Sequence, residues 1–210
     1  MMESILDIEN WPRKEHFHFF RKMEEPFFGV TVTVDCTKAY QVAKAKNKSF
    51  FITYLHKTLL AVNALESFRF RISGEQILVY DRIDASATIS REDGSFGFSL
   101  MKFDADFDTF YETALKEMER VKTTSGLFTR AFETDNLIHF SAIPWVNFTS
   151  LSHARGFTYE DSCPKISFGK MTVSKKGKRT MPMSIHVHHG LLDASHVGAL
   201  IDFFQERMDE

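Results

Sequence analysis

Four histidines fall within eleven residues near the C-terminus: His186, His188, His189 and His196, in the string SIHVHHGLLDASHVG. Successive side chains of an extended strand alternate faces, so Ile185, Val187 and His189 point one way and His186 and His188 the other. His189 shares the apolar face, ends the strand where Gly190 opens a turn, and lies four residues before Asp193. A histidine in apolar surroundings stays neutral, because burial disfavours the charged ring, and neutral imidazole can take a proton at neutral pH. General-base chemistry by His189 is one reading. Metal ligation by His186 and His188 is a second, although an i,i+2 pair without a nearby carboxylate or third ligand is a poor metal site. A core histidine with satisfied hydrogen bonds is a third. These residues alone leave all three open.

The surrounding elements must position that cluster. Pro12 to Met23 reads as a short helix with proline in its first turn and apolar Phe17, Phe20 and Met23. The β-branched run Phe27 to Val34 predicts a strand. Phe50 to Leu65 is apolar nearly all round, as in a helix buried on more than one side. Strands are expected at Phe68 to Ile72 and Ile77 to Tyr80, joined through Ser73-Gly74, and at Phe96 to Phe103. Asp106 to Val121 is an amphipathic helix with Phe107, Phe110, Leu115 and Met118 along one side. Further strands are expected at Leu137 to Ala142, Ile166 to Val173 and Pro182 to His189, and a closing helix from about Ser195 to Met208. Between the last two strands lies SKKGKR, Ser174 to Arg179, either a solvated basic turn or a phosphate contact for a charged cofactor. Strands and helices without a strict βαβ alternation predict an α+β or mixed α/β fold rather than a doubly wound sheet.

Composition narrows the function classes. With 210 residues, 43% hydrophobic and 26% charged, the chain can bury a core without staples, and one domain spanning 1–210 is expected. The 26 Lys and Arg against 28 Asp and Glu leave a net charge of -2, which lacks the basic excess of a nucleic-acid binder. The 22 phenylalanines call for a thick aromatic core, a ring-lined pocket or a large subunit interface. Two cysteines, Cys36 and Cys163, are too few for a disulfide framework or a cysteine-ligated zinc. No basic, then apolar, leader opens the chain and no run is long enough to span a membrane, so a cytoplasmic location is expected. Neither G-x-G-x-x-G nor G-x-x-x-x-G-K-[ST] is present, which leaves dinucleotide and P-loop readings unsupported.

VHHGLLDASHVG resembles the H-x-x-x-D-G signature of the coenzyme-A-dependent acyltransferases, and its flanking residues are similar to those of the chloramphenicol acetyltransferases. WPRKEHFHFF (11–20), SAIPWVNFTS (141–150) and CPKISFGK (163–170) resemble segments of that family in the same order, so the resemblance covers nearly the whole chain. It implies a two-layer sandwich in which helices cover a mainly antiparallel mixed sheet. It implies acetyl transfer from acetyl-CoA, as co-substrate, to a hydroxyl of a small molecule, with chloramphenicol the first candidate and another hydroxylated acceptor the alternative. A non-catalytic ligand- or metal-binding relative of the same fold is the reading from outside the enzyme class. The resemblance further implies a homotrimer with sites at its interfaces; no membrane, nucleic-acid or metal partner is expected.

Site roles follow from the resemblance residue by residue. His189 aligns with the catalytic histidine and Ser150 with the serine that stabilises the oxyanion. Arg13 and Asp193 align with a supporting arginine–aspartate pair, and Ser167 with a hydroxyl near the reacting centre. Phe20, Phe28, Phe128 and Lys170 are candidate substrate contacts, any of the rings being equally suited to plain core packing. Two departures stand out. Ala194 replaces the family's glycine, which matters only if that position needs a positive φ. Leu127-Phe128-Thr129 replaces the usual L-F-P in a loop that shapes the acceptor pocket.

Overall fold

A computed structural model describes residues 3–133, 135–156 and 161–210. Its strands are β1 (Glu3–Ile5), β2 (Phe27–Asp35), β3 (Phe70–Ser73), β4 (Gln76–Tyr80), β5 (Asp84–Ser90), β6 (Phe96–Phe98), β7 (Leu137–Ile143), β8 (Lys165–Gly169), β9 (Thr172–Val173) and β10 (Arg179–His188). Its helices are α1 (Lys14–Phe20), α2 (Thr37–Ala45), α3 (Phe50–Ala64), α4 (Phe107–Thr123) and α5 (Ala194–Met208). The main sheet runs β2-β10-β8-β7-β5-β6, with β9 paired to β10. Only the β8–β7 and β7–β5 pairs are parallel. A small antiparallel sheet, β1-β4-β3, stands apart from it. This is the mixed sheet with covering helices that the sequence implied.

The two faces of the main sheet are chemically unlike, because side chains alternate along each strand. One face carries Ala85, Ala87, Ile138, Phe140, Ile166, Phe168, Ile185 and Val187, buried in one core with Leu55 and Leu59 of α3 and Val197, Leu200 and Phe204 of α5. The other face is polar across the strands. Ser86, His139, Lys165, His186 and Gly29 stand side by side on β5, β7, β8, β10 and β2. Two residues along, Ser141, Ser167, Ser184 and Thr31 form a second such row. Gly29 is required there, since a Cβ would lie 2.3 Å from Nε2 of His186. Gly169 serves a similar purpose at the end of β8, where a Cβ would meet Val146 O at 2.7 Å and so displace the loop after β7.

Several expected elements are adjusted by tertiary contacts. Phe68 and Arg69 lie in a 3₁₀ turn, Glu66–Arg69, and the hairpin turns at Gly74 with φ of 56°. The strand expected through Phe103 ends at Phe98, although Ser99 and Met101 still donate to Ala87 O and Ala85 O. The segment Ile166 to Val173 breaks into β8 and β9, because Lys170 N donates to Val146 O instead of continuing the ladder. On α4 the buried side is Phe110, Ala114, Glu117 and Val121, not the one through Leu115, which is 43% exposed. Glu117 is tolerated there because Arg120, Arg130 and Leu100 N–H all bond its carboxylate.

Ala194 opens α5 behind its N-cap, Asp193, and takes no positive φ. Alanine therefore fits without strain where the resembled pattern has glycine. Ala194→Gly should lower stability by about 0.5–1 kcal/mol through the freer unfolded chain. A melting curve should show Tm falling by about 1–4 °C; a rise would mean that alanine is strained at this position.

Candidate active site

His189 follows directly on β10. Its N–H donates to Pro26 O, and Leu191 N and Leu192 N both turn back to His188 O. This turn takes His189 out of the alternation expected from the sequence. Ile185 and Val187 are fully buried, whereas His189 is half-buried and His188, predicted on the opposite face, is the buried histidine.

Three contacts fix the His189 ring. Phe20, the last residue of α1, stacks on it at 3.9 Å with planes 19° apart, and Phe28 of β2 lies at 4.7 Å. Nδ1 lies 3.1 Å from Leu192 O. A carbonyl only accepts, so Nδ1 carries a proton, and in the neutral ring Nε2 holds the lone pair. The ring is thus the tautomer that can accept a proton at Nε2.

Arg13, the N-cap of α1, binds this turn from below. Its Nη1 donates to Asp193 Oδ2 at 2.5 Å and its Nη2 to His189 O at 3.0 Å. Asp193 also receives Ser195 Oγ at 2.6 Å and Ser195 N at 3.0 Å, and lies 2.8 Å from His196 Nδ1. The Ser195 hydroxyl, and after it His196, hold the Asp193 carboxyl well below the usual carboxylate range. Asp193 therefore pairs with Arg13 and caps a helix, while the partner of His189 Nδ1 is a backbone carbonyl. Among the described residues His189 forms no Ser-His-Asp relay.

The remaining sequence candidates separate into two groups. Phe20, Phe28, Arg13 and Asp193 all meet at His189. Ser167 is fully buried on β8, and its hydroxyl has no partner among the described residues. Its neighbours in register are Ser141 and Ser184. Ser150 is exposed in the loop after β7, and Lys170 is exposed beyond β8. Phe128, 68% exposed, lies elsewhere, at a cavity of about 700 Å³. Of the histidines weighed as metal ligands, His188 uses Nδ1 to accept Gly190 N–H, and burial holds its pKa at about 4. His186 packs on Gly29 and against the His153 ring at 4.8 Å.

That cavity, with the groups around it, is what the sequence reading missed. It opens on the polar face of β5, β7 and β8. Ser86, Thr88, His139, Ser141 and Lys165 face rings of Phe96, Phe98, Phe128 and Phe132. Ser141 lines it and Ser150 does not. The available signal was the polar alternation His139, Ser141 within LIHFSAI, which stands between the core residues Ile138 and Phe140. His139, Asp161 and Cys163 bring ligand-type atoms within 4.8 Å of one another. The Lys165 ammonium already occupies Asp161 at 2.5 Å and Cys163 O at 3.2 Å, so the cation position of that cluster is filled by the chain itself.

Comparison with known proteins identifies the family. The family model for chloramphenicol acetyltransferase matches residues 1–205. Chloramphenicol acetyltransferase 3 of Escherichia coli is 30% identical over 209 residues, covering 98% of this chain and 97% of the relative. The chloramphenicol acetyltransferase of Staphylococcus aureus is 28% identical, covering 98% of each. A solved chloramphenicol acetyltransferase superposes with a TM-score of 0.90 at 33% identity, covering 99% of this chain and 100% of that one. The cubic core of a pyruvate dehydrogenase multienzyme complex shares the fold alone, with a TM-score of 0.65 at 11% identity over 93% of this chain and 86% of that one. On a family match over nearly its whole length, the chain belongs to the chloramphenicol acetyltransferases, a family of acyltransferases.

Proposed function

We propose that this chain transfers an acetyl group from acetyl-CoA to a hydroxyl of chloramphenicol, with residues 1–210 acting as one acetyltransferase domain in the cytoplasm. The observation that carries this reading is the His189 ring, held by Phe20 and the Leu192 carbonyl with Nε2 left as a base, in a chain of this family. Nε2 takes the proton of the acceptor hydroxyl as its oxygen attacks the thioester carbon. The C–S bond then breaks, and the same proton goes to the departing CoA thiolate. Between these steps the former carbonyl oxygen bears negative charge and needs a hydrogen-bond donor.

For that donor the resemblance pointed to Ser150, but the cavity favours Ser141. Ser141 lines the cavity and stands beside Ser167 in the register of β7 and β8, whereas Ser150 is exposed outside it. Ser167 would support Ser141 by hydrogen bonding across the strands. Lys170, with Lys175 and Lys176 of the basic turn, offers exposed cations to the CoA phosphates. Lys178 is engaged by Asp35 at 3.2 Å.

A homotrimer completes the reading. His189 is absent from the cavity lining, so base and acceptor pocket would meet where one copy abuts the next. Trp145, Val146, Phe96 and Phe128 are exposed apolar residues suited to such a contact.

Thiol release from acetyl-CoA, with and without chloramphenicol, tests the reaction; no acceptor-dependent release would overturn it. His189→Ala should lower kcat by about 10²–10⁴-fold. Ser141→Ala should lower kcat by about 10²–10³-fold with little change in KM, because an oxyanion donor acts mainly in the transition state. Ser150→Ala should stay near wild type, and the reverse ranking of the two serines would return the role to Ser150.

Refolding the His189→Ala and Ser141→Ala chains together checks the shared site. Random mixing should restore about a quarter of wild-type activity, since one site in four draws its histidine and its serine each from the intact copy. No recovery would confine the site to a single chain.

Arg13 and Asp193 should act as one unit. The pair is partly open, with side chains 13% and 35% exposed, so solvent screens it. A double-mutant cycle with alanine should give a coupling of about 1 kcal/mol in stability. Strict additivity would show that the pair contributes nothing jointly.

A further inference from the structure

Three polar groups around the cavity are already satisfied by the chain. Lys165 is bound to Asp161 and to Cys163 O, Ser162 Oγ accepts Ile72 N–H at 2.9 Å, and Asp161 Oδ1 accepts Cys163 N–H at 3.0 Å. The two imidazoles of the lining differ from these three: Nε2 of His153 is buried with no partner among the described residues, and beside it stands His139. Its side chain is open to the cavity, and its imidazole has no hydrogen-bond partner among the described residues. It shares a face with Ser141, two residues or about 7 Å further along β7. The rings of Phe96, Phe98, Phe128 and Phe132 form the other side of the space.

Enclosure by the cavity walls, and after it the Lys165 ammonium, hold the pKa of His139 below the ordinary histidine value. At neutral pH the ring therefore offers one N–H donor and one nitrogen acceptor and carries no charge. That pairing matches a hydroxyl or an amide, each of which can both give and take a hydrogen bond. It offers an anionic or cationic group no opposite charge.

We propose that His139 is a specificity-determining residue of the acceptor site: its imidazole reads a second hydroxyl or amide on the molecule being acetylated, while the phenylalanine wall takes that molecule's flat apolar end. This rests on the acceptor reading of the cavity given above. The acceptor class is thus a small uncharged molecule with an aromatic or flat apolar end and at least two polar groups spaced along it. Chloramphenicol, with an aryl ring, two hydroxyls and an amide, is a suitable probe.

The test compares His139→Leu, which removes both hydrogen-bonding functions, with His139→Gln, which keeps one of each. At saturating acetyl-CoA, His139→Leu should raise the chloramphenicol KM about tenfold or more, since an acceptor group is left unpaired on binding. Its kcat and its KM for acetyl-CoA should stay near wild type. His139→Gln should recover most of the loss, and calorimetric Kd values for chloramphenicol should follow the same order.

A pH series adds a readout that a merely structural histidine would not give. The charged and titratable groups facing His139 are Lys165, Asp161, Cys163, Arg71 and His153. Lys165→Met removes the nearest cation and leaves the Asp161 carboxylate unpaired, so the His139 pKa rises toward the ordinary histidine value. Protonation removes the acceptor nitrogen. The chloramphenicol KM should then climb at higher pH in Lys165→Met than in wild type, and should not do so in Lys165→Met/His139→Gln.

An unchanged KM in His139→Leu, or a loss confined to kcat, overturns the inference while leaving the acetyltransferase reading intact. A wild-type enzyme that neither binds nor acetylates chloramphenicol overturns that reading, and the inference with it.

Discussion

The bidentate reach of Arg13 is the constraint on which the site depends. One guanidinium holds the Asp193 carboxylate and the His189 carbonyl together. Through Asp193 it ties the N-terminus of α1 to that of α5, and through His189 it fixes the turn that ends β10. The other end of α1 delivers Phe20 onto the His189 ring. A seven-residue helix is too short to be stable alone, so its placement depends on these tertiary ties. A lysine could not make both contacts with the same geometry, because an ammonium is a point charge without a planar fork.

The second constraint is the division of the main sheet into an apolar and a polar face. The apolar face is covered by α3 and α5 and supplies most of the buried surface. The polar face carries two rows of hydroxyls, imidazoles and one lysine across adjacent strands. Placing His139, His153, His186 and His188 near Lys165 and Arg155 in enclosed surroundings pushes all four imidazoles toward the neutral form. The face is thereby rich in hydrogen-bonding groups and poor in net charge, which suits an uncharged ligand better than an ion.

Much of the fold was legible because its elements carry strong local signals. Phe27–Asp35 is β-branched, α3 is apolar and capped by Ser49, and α5 follows an aspartate cap. The elements that escaped notice lack such signals. The residues of β5, DASATIS, are small and not strongly β-forming, and α2 has no broad apolar stripe. Their conformations are set by neighbours: β5 is paired on both sides, and α2 packs on α3. The site shows the same division. His189, Arg13 and Asp193 lie in motifs that read locally, and the structure brings them together. The cavity does not read locally, since Ser86, His139 and Lys165 are far apart in the chain and become neighbours only through strand register. Register likewise separates Ser141 from Ser150: nine residues apart in one motif, they end on a cavity-lining strand and on an exposed loop.

The partner of His189 Nδ1 has an electrostatic consequence for the proposed base. A carboxylate at Nδ1 would stabilise the imidazolium and raise the ring's basicity. Here a backbone carbonyl orients the ring without adding a full charge, and the nearby Asp193 carboxylate is neutralised by Arg13 and turned toward the α5 N-terminus. In the proposed reaction this contact determines which nitrogen faces the reactants: with Nδ1 bound to the carbonyl, Nε2 is the one left to exchange a proton. It also separates the two functions of the junction: Asp193 keeps the turn in place, and the Leu192 carbonyl orients the ring.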